Sequence, residues 1–318
     1  MKGKQRDDEL LMALYEYRGL TVKQIKEVFY SDSTCYVYRR MHLLKKQGLV
    51  ESQPIIGERG KKVGAFYYLT EKGLDRLEQQ GLIERTRRAR ENKPSGRRLP
   101  YIVSRNELYT QLSPYGWKFV DGRDYKAQYQ MNRGAMLKGG LIRSDGKEYA
   151  VYILEKNTRE KTIKRMVNEI NNSRLTNLFI FCHSQDVYNR IKQEDIRQME
   201  VNLLPFQRGI KLLRRFHSEE EWLKLFRRYG EVIPVQNKFL FGKYLIRTSD
   251  GRELYLCNCL LNDVQALNWL LRYTYERYRQ DGRGVLLLKW EGQDIGMERQ
   301  RGYEHVEIVE LTRDELMM

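Results

Sequence analysis

Apolar residues recur every three or four positions along the first eighty residues, which is the spacing of amphipathic helices. This spacing predicts helices over residues 7–17, 22–29 and 34–47, the second opened by a capping box at Thr21. Two apolar runs flank the glycine-rich, basic segment 57–64 and predict a hairpin, and Thr70 is expected to cap a helix over 71–80. Three helices, a hairpin and a helix are the order of a winged helix-turn-helix, which we assign to residues 1–83.

Polar and basic residues fill positions 84–98, which we interpret as a linker. The pattern that follows predicts a helix, three strands, a helix and a strand. The predicted ranges are 106–112, 117–120, 136–142, 148–154, 158–171 and 178–182, with another helix over 185–192. This is the αβββαβ order of the restriction-endonuclease-like core, assigned here to residues 99–230.

Residues 231–318 are expected to form a smaller C-terminal α/β module, with one long helix over 263–280 and a strand at 285–288. The segment 245–253 resembles the segment 141–148, since both contain an Asp-Gly turn. Two interpretations stay open: a degenerate internal duplication, or two hairpins that share the commonest type of turn. The fold class predicted for the chain is therefore α+β, with several domains.

The 318 residues carry a formal net charge of +16, and this charge is unevenly distributed. The net charge is +4 over residues 1–83, +5 over 84–98, +9 over 99–230 and −2 over 231–318. Such an excess of basic groups favours a polyanionic partner. The sequence has no apolar run long enough for a membrane span or a signal peptide, and its four cysteines do not suggest a disulfide scaffold. We therefore expect a cytoplasmic protein without a membrane partner.

The third predicted helix has the pattern of a recognition helix, with Val37, Met41 and Leu44 on one face. Residues in its N-terminal half are expected to contact DNA, and basic residues of the hairpin tip and the linker to contact the backbone. The candidates are Ser33, Thr34, Tyr36, Tyr38, Arg39, Arg59, Lys61, Lys62, Arg87 and Arg88. The segment 68–74 is similar to winged-helix repressors of the multiple-antibiotic-resistance class. The alternative is a winged helix that contacts protein.

Nucleases with the αβββαβ core place one acid on the second strand, and an acid and a lysine two residues apart on the third, around Mg²⁺. Glu155 is the candidate third-strand acid and Lys156 follows it, but Asn157 occupies the lysine position. Lys138 and a glycine stand at the second-strand position. The other carboxylates considered as ligands are Asp145, Glu148 and Glu107. Alternatively, Glu155 is a strand-end carboxylate paired with a basic residue, and Lys138 contacts a DNA phosphate.

Residues 7–190 resemble the replication-relaxation family of plasmids and other mobile elements. That family has a Pro-Asp pair on the second strand and a Glu-x-Asp-x-x-Thr-like motif on the third. Glu155 matches the glutamate, Asn157 stands at the aspartate and Thr158 lies near the threonine, whereas Lys138-Gly139 replaces the Pro-Asp pair. The resemblance implies a role in plasmid replication, mobilisation or their control. It also implies double-stranded DNA as a partner, together with a second copy of the chain or replication and mobilisation proteins.

The sequence lacks the residues that several other classes of DNA-processing enzyme and a zinc site require. The four histidines are isolated, so the His-x-His cluster of most relaxases is missing, and the chain has no P-loop motif. Cys257 and Cys259 lack a second ligand pair at zinc spacing and are expected to pack in the core. The sequence predicts a sequence-specific DNA-binding protein with a nuclease-like domain that has lost its active site and binds no cofactor. The alternatives are a Mg²⁺-dependent nuclease or relaxase that uses Glu155, and a transcriptional regulator whose C-terminal domain binds a partner.

Overall fold

The structure, a computed structural model, describes residues 2–30, 34–57, 60–86, 88–96, 98–235, 241–296 and 302–316. The chain forms two compact units, Met1–Gln111 and Leu112–Met318. Both units mix helices with strands, and the described residues contain twelve α-helices and three sheets. The predicted α+β class is therefore confirmed.

The first unit surrounds a three-stranded antiparallel sheet of order β1-β3-β2. Its elements are α1 (Lys2–Glu16), β1 (Leu20–Thr21), α2 (Val22–Phe29), α3 (Thr34–Lys46), β2 (Val50–Ile56), β3 (Lys62–Leu69), α4 (Glu71–Gln79) and α5 (Leu99–Leu112). The capping box predicted at Thr21 is present: the Thr21 hydroxyl accepts the backbone N–H of Gln24, and the Gln24 amide oxygen accepts the Thr21 N–H at 2.9 Å. The apolar faces of α1 to α4 meet in one core, as their periodicity predicts.

Helix α5 is longer than the sequence predicts, because it begins at Leu99 rather than near Asn106. Its first residue packs with Phe66 and Tyr68 of the sheet. Asn106 is fully buried and donates hydrogen bonds to the carbonyl oxygens of Tyr17 and Gly19, at 3.0 and 2.7 Å. Residues 99–111, which the sequence groups with the central domain, therefore lie within the first compact unit.

The first half of the second unit is a five-stranded sheet of order β4-β5-β6-β7-β8. Its elements are β4 (Lys118–Asp121), α6 (Gly122–Gln128), β5 (Gly139–Ile142), β6 (Glu148–Leu154), α7 (Glu160–Asn171), β7 (Asn177–Cys182), α8 (Gln185–Lys192), β8 (Glu200–Pro205), α9 (Phe206–Arg215) and α10 (Glu219–Phe226). Strands β4, β5 and β6 are antiparallel, whereas β6, β7 and β8 are parallel.

The second half contains β9 (Glu231–Pro234), β10 (Gly242–Arg247), β11 (Glu253–Asn258), α11 (Val264–Leu271), α12 (Tyr275–Asp281), β12 (Gly284–Trp290) and β13 (Val306–Leu311). The prediction of one helix over 263–280 is wrong, since the helical conformation is interrupted between α11 and α12. Tyr273 lies in this break: it is fully buried, and its hydroxyl donates to the Asp281 carboxylate at 2.8 Å and to the Arg283 carbonyl at 2.9 Å.

The two sheets of the second unit share strand order and strand directions. Strands β9, β10 and β11 are antiparallel, and β11, β12 and β13 are parallel, as in the first half. The halves are joined by hydrogen bonds, including those of the Asn262 backbone and side chain with Leu203 at 3.1 Å. Among the residues that the structure describes, no helix combines the length and apolarity needed to cross a membrane.

Candidate nucleic-acid interface

Helix α3 separates a buried face from an exposed one. Val37, Met41 and Leu44 are completely buried in the core of the first unit. On the other side, Tyr36 is 45% exposed and Tyr38 is 55% exposed, and Arg39 is also exposed. The ring of Tyr36 lies 5.0 Å from that of Tyr30, which restrains it. The face that a recognition helix would present to a DNA groove is therefore aromatic and basic.

The orientation of α3 depends on an ion pair that its sequence pattern does not reveal. The guanidinium of Arg40 donates two hydrogen bonds to the carboxylate of Asp7 on α1, and Asp7 is almost completely buried. The partly buried Arg40 side chain is thus held by α1, whereas the side chain of its neighbour Arg39 is exposed. Thr34 is the first residue of α3, and the candidate Ser33 lies outside the described residues.

The hairpin of β2 and β3 ends in a tip that carries exposed basic and apolar groups. Its strands pair from Val50 opposite Leu69 to the tip, where the Gly57 N–H donates to the Lys61 carbonyl at 2.8 Å. Lys61 and Lys62 are both exposed. Val63 and Ile56 are also exposed, at 67% and 56%. The candidate Arg59 lies outside the described residues.

The basic segment 84–98 folds against the first unit in the part that the structure describes. Arg85 pairs with Glu71 and with Asp75 on α4, the latter at 2.8 Å. The Tyr15 hydroxyl donates to the Glu84 carbonyl at 3.1 Å, and Asn92 is buried. The candidate Arg88 is exposed, and the candidate Arg87 lies outside the described residues. Arg85 is therefore engaged in holding the segment, whereas Arg88 projects into solvent.

Glu155 and Lys156 lie at the carboxyl end of β6, as predicted. The Glu155 carbonyl accepts hydrogen bonds from the N–H and hydroxyl of Thr158, at 3.1 and 2.7 Å, in the turn before α7. The Lys156 carbonyl accepts the Ser184 hydroxyl at 3.2 Å. This edge of the sheet thus joins the ends of β6 and β7. Lys138 directly precedes β5, which is antiparallel to β6, so it lies toward the same edge of the sheet. Its N–H donates to the Val151 carbonyl at 2.8 Å.

The start of β5 is packed too closely for any side chain at Gly140. A Cβ atom at that position would lie 2.3 Å from Cε2 of Tyr125 on α6. The nearby N–H groups of Met136 and Leu137 donate to the carboxylate of Glu169 on α7, at 2.7 and 3.3 Å, and the Tyr152 hydroxyl donates to it at 3.0 Å. The glycine and the acid at this place thus have structural partners within the sheet and its helices.

The other carboxylates considered as metal ligands are also engaged. Asp145 accepts hydrogen bonds from Arg143, which hold the pKa of the Asp145 carboxyl below its usual range. Glu148 accepts the Tyr129 hydroxyl at 3.1 Å, and Glu107 pairs with Lys23 at 2.6 Å within the first unit. In the described parts of the chain, no three Asp, Glu, His or Cys side chains form a group able to hold a metal ion.

A family model described as replication-relaxation matches residues 11–175, slightly more than half of the chain. The chain belongs to the replication-relaxation family. This membership indicates a role in the replication or mobilisation of plasmids or other mobile elements. No curated protein and no solved structure matches the chain.

The part of this replication-relaxation protein that the family model matches contains both sets of candidates. It runs from α1 through α3, the hairpin, the basic segment and β4 to β6, and it ends after α7. Strands β7 and β8, and the whole sheet formed by β9 to β13, lie beyond the match. Sequence reasoning missed Asp7, Arg40, Glu169 and Tyr125, because each acts through a partner on another element.

Proposed function

We propose that this replication-relaxation protein binds double-stranded DNA sequence-specifically through a winged helix-turn-helix in its first unit. In this assignment α3 is the recognition helix and the β2–β3 hairpin is the wing. The observation that carries the proposal is the two-sided character of α3, whose apolar side is buried while Tyr36, Tyr38 and Arg39 are exposed. An aromatic and basic helix face beside a basic hairpin matches the chemistry of a DNA groove and its phosphates.

The hairpin tip supplies the electrostatic part of the binding. Lys61 and Lys62 are exposed on neighbouring positions, and the exposed Val63 beside them gives the tip an apolar surface. Each lysine that neutralises a phosphate releases counterions, so that affinity falls steeply with salt. These contacts position the protein on DNA, whereas Arg39 reads bases by bidentate hydrogen bonds to a guanine edge.

The experiment titrates fluorescent duplexes with the full-length protein between about 50 and 200 mM salt, the range over which phosphate contacts dominate. The variant Lys61→Glu/Lys62→Glu should weaken binding to every duplex and reduce the magnitude of the salt slope by about 2, at about 0.9 per lost contact. Lys118→Glu/Arg279→Glu is the matched control, because it changes the net charge equally at exposed residues of the second unit. Absence of duplex binding at low salt, or equal losses in both variants, would reject the proposal.

We further propose that the first half of the second unit, from β4 to α10, is a nuclease-like domain that contacts DNA without cutting it, although α6 interrupts the predicted αβββαβ order between β4 and β5. The Gly140–Tyr125 packing and the engagement of Glu169 support this proposal, since both fill the start of β5 with structural contacts. Lys138 then offers a positive charge to a phosphate. The alternative, a Mg²⁺-dependent nuclease that uses Glu155, rests on the position of Glu155 at the end of β6.

A further inference from the structure

Two arginines of the second unit lie near Trp290, and one of them is stacked on its ring. The guanidinium of Arg208, on α9, lies 5.1 Å from the ring centroid of Trp290, the last residue of β12. Trp290 is 4% exposed, so the indole is a fixed platform. Arg313 lies two residues after Leu311, which pairs with Trp290 in the register of β12 and β13. Burial, and then the charge of Arg313, lower the pKa of Arg208.

Basic residues near these two arginines have carboxylate partners. Buried Lys289 pairs with Glu310 at 2.7 Å, and Lys192 lies 3.8 Å from Asp294. Within the described parts of the chain, no carboxylate lies within salt-bridge distance of Arg208 or Arg313. The two guanidinium groups therefore keep donors that no salt bridge within the described residues occupies.

Helix stability does not explain the position of Arg208. It is the third residue of α9, and a positive side chain in the first turn opposes the helix dipole. The Trp290 indole instead orients the Arg208 guanidinium. A guanidinium that is already oriented loses less conformational entropy when it donates two parallel hydrogen bonds to an anion. The stacking of Arg208, and the position of Arg313 just beyond the paired ends of β12 and β13, thus favour anion binding over a merely solvated charge.

The carboxyl ends of β12 and β13 are also a position at which α/β sheets commonly bind ligands. Strands β12 and β13 are parallel and paired up to Trp290 and Leu311, so their carboxyl ends lie at one edge of the sheet. In open α/β sheets this is the edge at which ligands are held. Arg208 reaches this edge from α9, which follows the parallel strand β8 of the other half.

We propose that Arg208 and Arg313, with Trp290 as the platform, form a phosphate-binding site for a nucleic-acid backbone in the second unit. Planar guanidinium groups match phosphate geometry in bidentate fashion. This inference rests on the proposed function and adds to it a DNA contact made outside α3 and the hairpin. The net charge of −2 over residues 231–318 is compatible with the site, because Arg313 alone comes from that section and Arg208 comes from the basic one.

The test measures binding of a single-stranded oligothymidylate and, separately, of tripolyphosphate by the full-length protein. Arg208→Gln/Arg313→Gln should bind the oligonucleotide about tenfold or more weakly, as expected for losing charge-assisted hydrogen bonds. Arg123→Gln/Arg279→Gln is the control with the same change of net charge at exposed residues. Arg208→Lys/Arg313→Lys retains the charge and should recover only part of the affinity, because an ammonium lacks the planar fork.

The outcomes that decide between these possibilities are distinct. Unchanged oligonucleotide binding in Arg208→Gln/Arg313→Gln, or the same loss in the control, overturns the site. Binding of tripolyphosphate without binding of the oligonucleotide rejects a nucleic-acid source and assigns the site to a free phosphate compound. The same titration with Lys61→Glu/Lys62→Glu separates failure of this site from failure of the proposed duplex reader, because this variant leaves Arg208 and Arg313 in place and should keep oligothymidylate binding that depends on them. Quenching of tryptophan fluorescence that disappears in Trp290→Phe would support the site directly.

Discussion

Arg40 on α3 and Asp7 on α1 form a two-hydrogen-bond ion pair inside the first unit. Removing one member of such a pair leaves the other charge buried without compensation. Asp7→Asn should therefore destabilise the packing of α1 and α3 by about 3 kcal/mol, whereas Glu27→Gln, which removes the exposed pair of Glu27 with Lys23 in the same unit, should cost less than about 1 kcal/mol. All four tryptophans lie in the second unit, so hydrogen exchange of α1 and α3 is the suitable measurement. Unchanged protection in Asp7→Asn would contradict the expected role of the pair.

Arg39 should affect which sequence is bound more than how strongly DNA is bound. Loss of a bidentate contact to a guanine edge costs about 1–3 kcal/mol of base discrimination at one position. Arg39→Ala should therefore relax the sequence preference at one base pair in a randomised-duplex selection, with the salt slope almost unchanged. Lys46→Ala, at the other end of α3, is the control and should leave the preference intact. A uniform loss of affinity in Arg39→Ala would identify Arg39 as a phosphate contact.

Gly140 should tolerate no side chain while Tyr125 is present. Because an added Cβ would meet the Tyr125 ring at 2.3 Å, Gly140→Ala should lower the free energy of unfolding of the second unit by about 1–3 kcal/mol. In a Tyr125→Ala background the same substitution should cost much less, which a double-mutant cycle in urea with tryptophan fluorescence measures. Gly134→Ala is the control, since its added Cβ would lie 3.4 Å from the nearest atom. Equal costs in both backgrounds would reject the steric explanation.

The sequence predicts the elements of this fold that residues close together in the chain determine. The capping box at Thr21 and the apolar spacing of Val37, Met41 and Leu44 are encoded within one turn or two, and both occur in the structure. The break before α12 contains Tyr273, whose ring packs against Phe241 and Tyr255, and the first residue of α5 packs against β3. Such features arise from residues distant in sequence, and periodicity carries no information about them.

The same limit applies to the candidate sites. A strand-end acid such as Glu155 is readable from the pattern of β6. The pairing of Asp7 with Arg40, and the stacking of Arg208 on Trp290, bring together elements far apart in the chain. Aspartate and arginine are common surface residues, so only the fold distinguishes these charges from solvated ones.

Asp263 should make the second unit less stable as pH rises. Burial, and then the charge of Glu200, raise the pKa of Asp263 to about 6, although the backbone N–H groups of Val201, Gln265 and Ala266 donate to it. The folded state therefore holds the proton more tightly than the unfolded chain, and stability falls between about pH 4 and pH 6 before levelling off. Asp263→Asn retains an acceptor oxygen and should remove this decline. The measurement is the difference in urea unfolding between the two proteins from pH 4 to pH 8, and a constant difference would contradict the prediction.

The purified protein should not nick supercoiled plasmid in the presence of Mg²⁺ or Mn²⁺. In-line hydrolysis requires a metal held by converging carboxylates, and the start of β5 offers Lys138 and the closely packed Gly140 where the first carboxylate would stand. The positive charge of Lys138 opposes a cation there and suits a phosphate. Lys138→Glu should consequently weaken DNA binding, with Lys118→Glu as the control at an exposed lysine of the same sheet. Glu155→Ala tests the alternative, because nicking by the natural protein that disappears in this variant would establish a nuclease, and the acid at the end of β6 would then be its metal ligand.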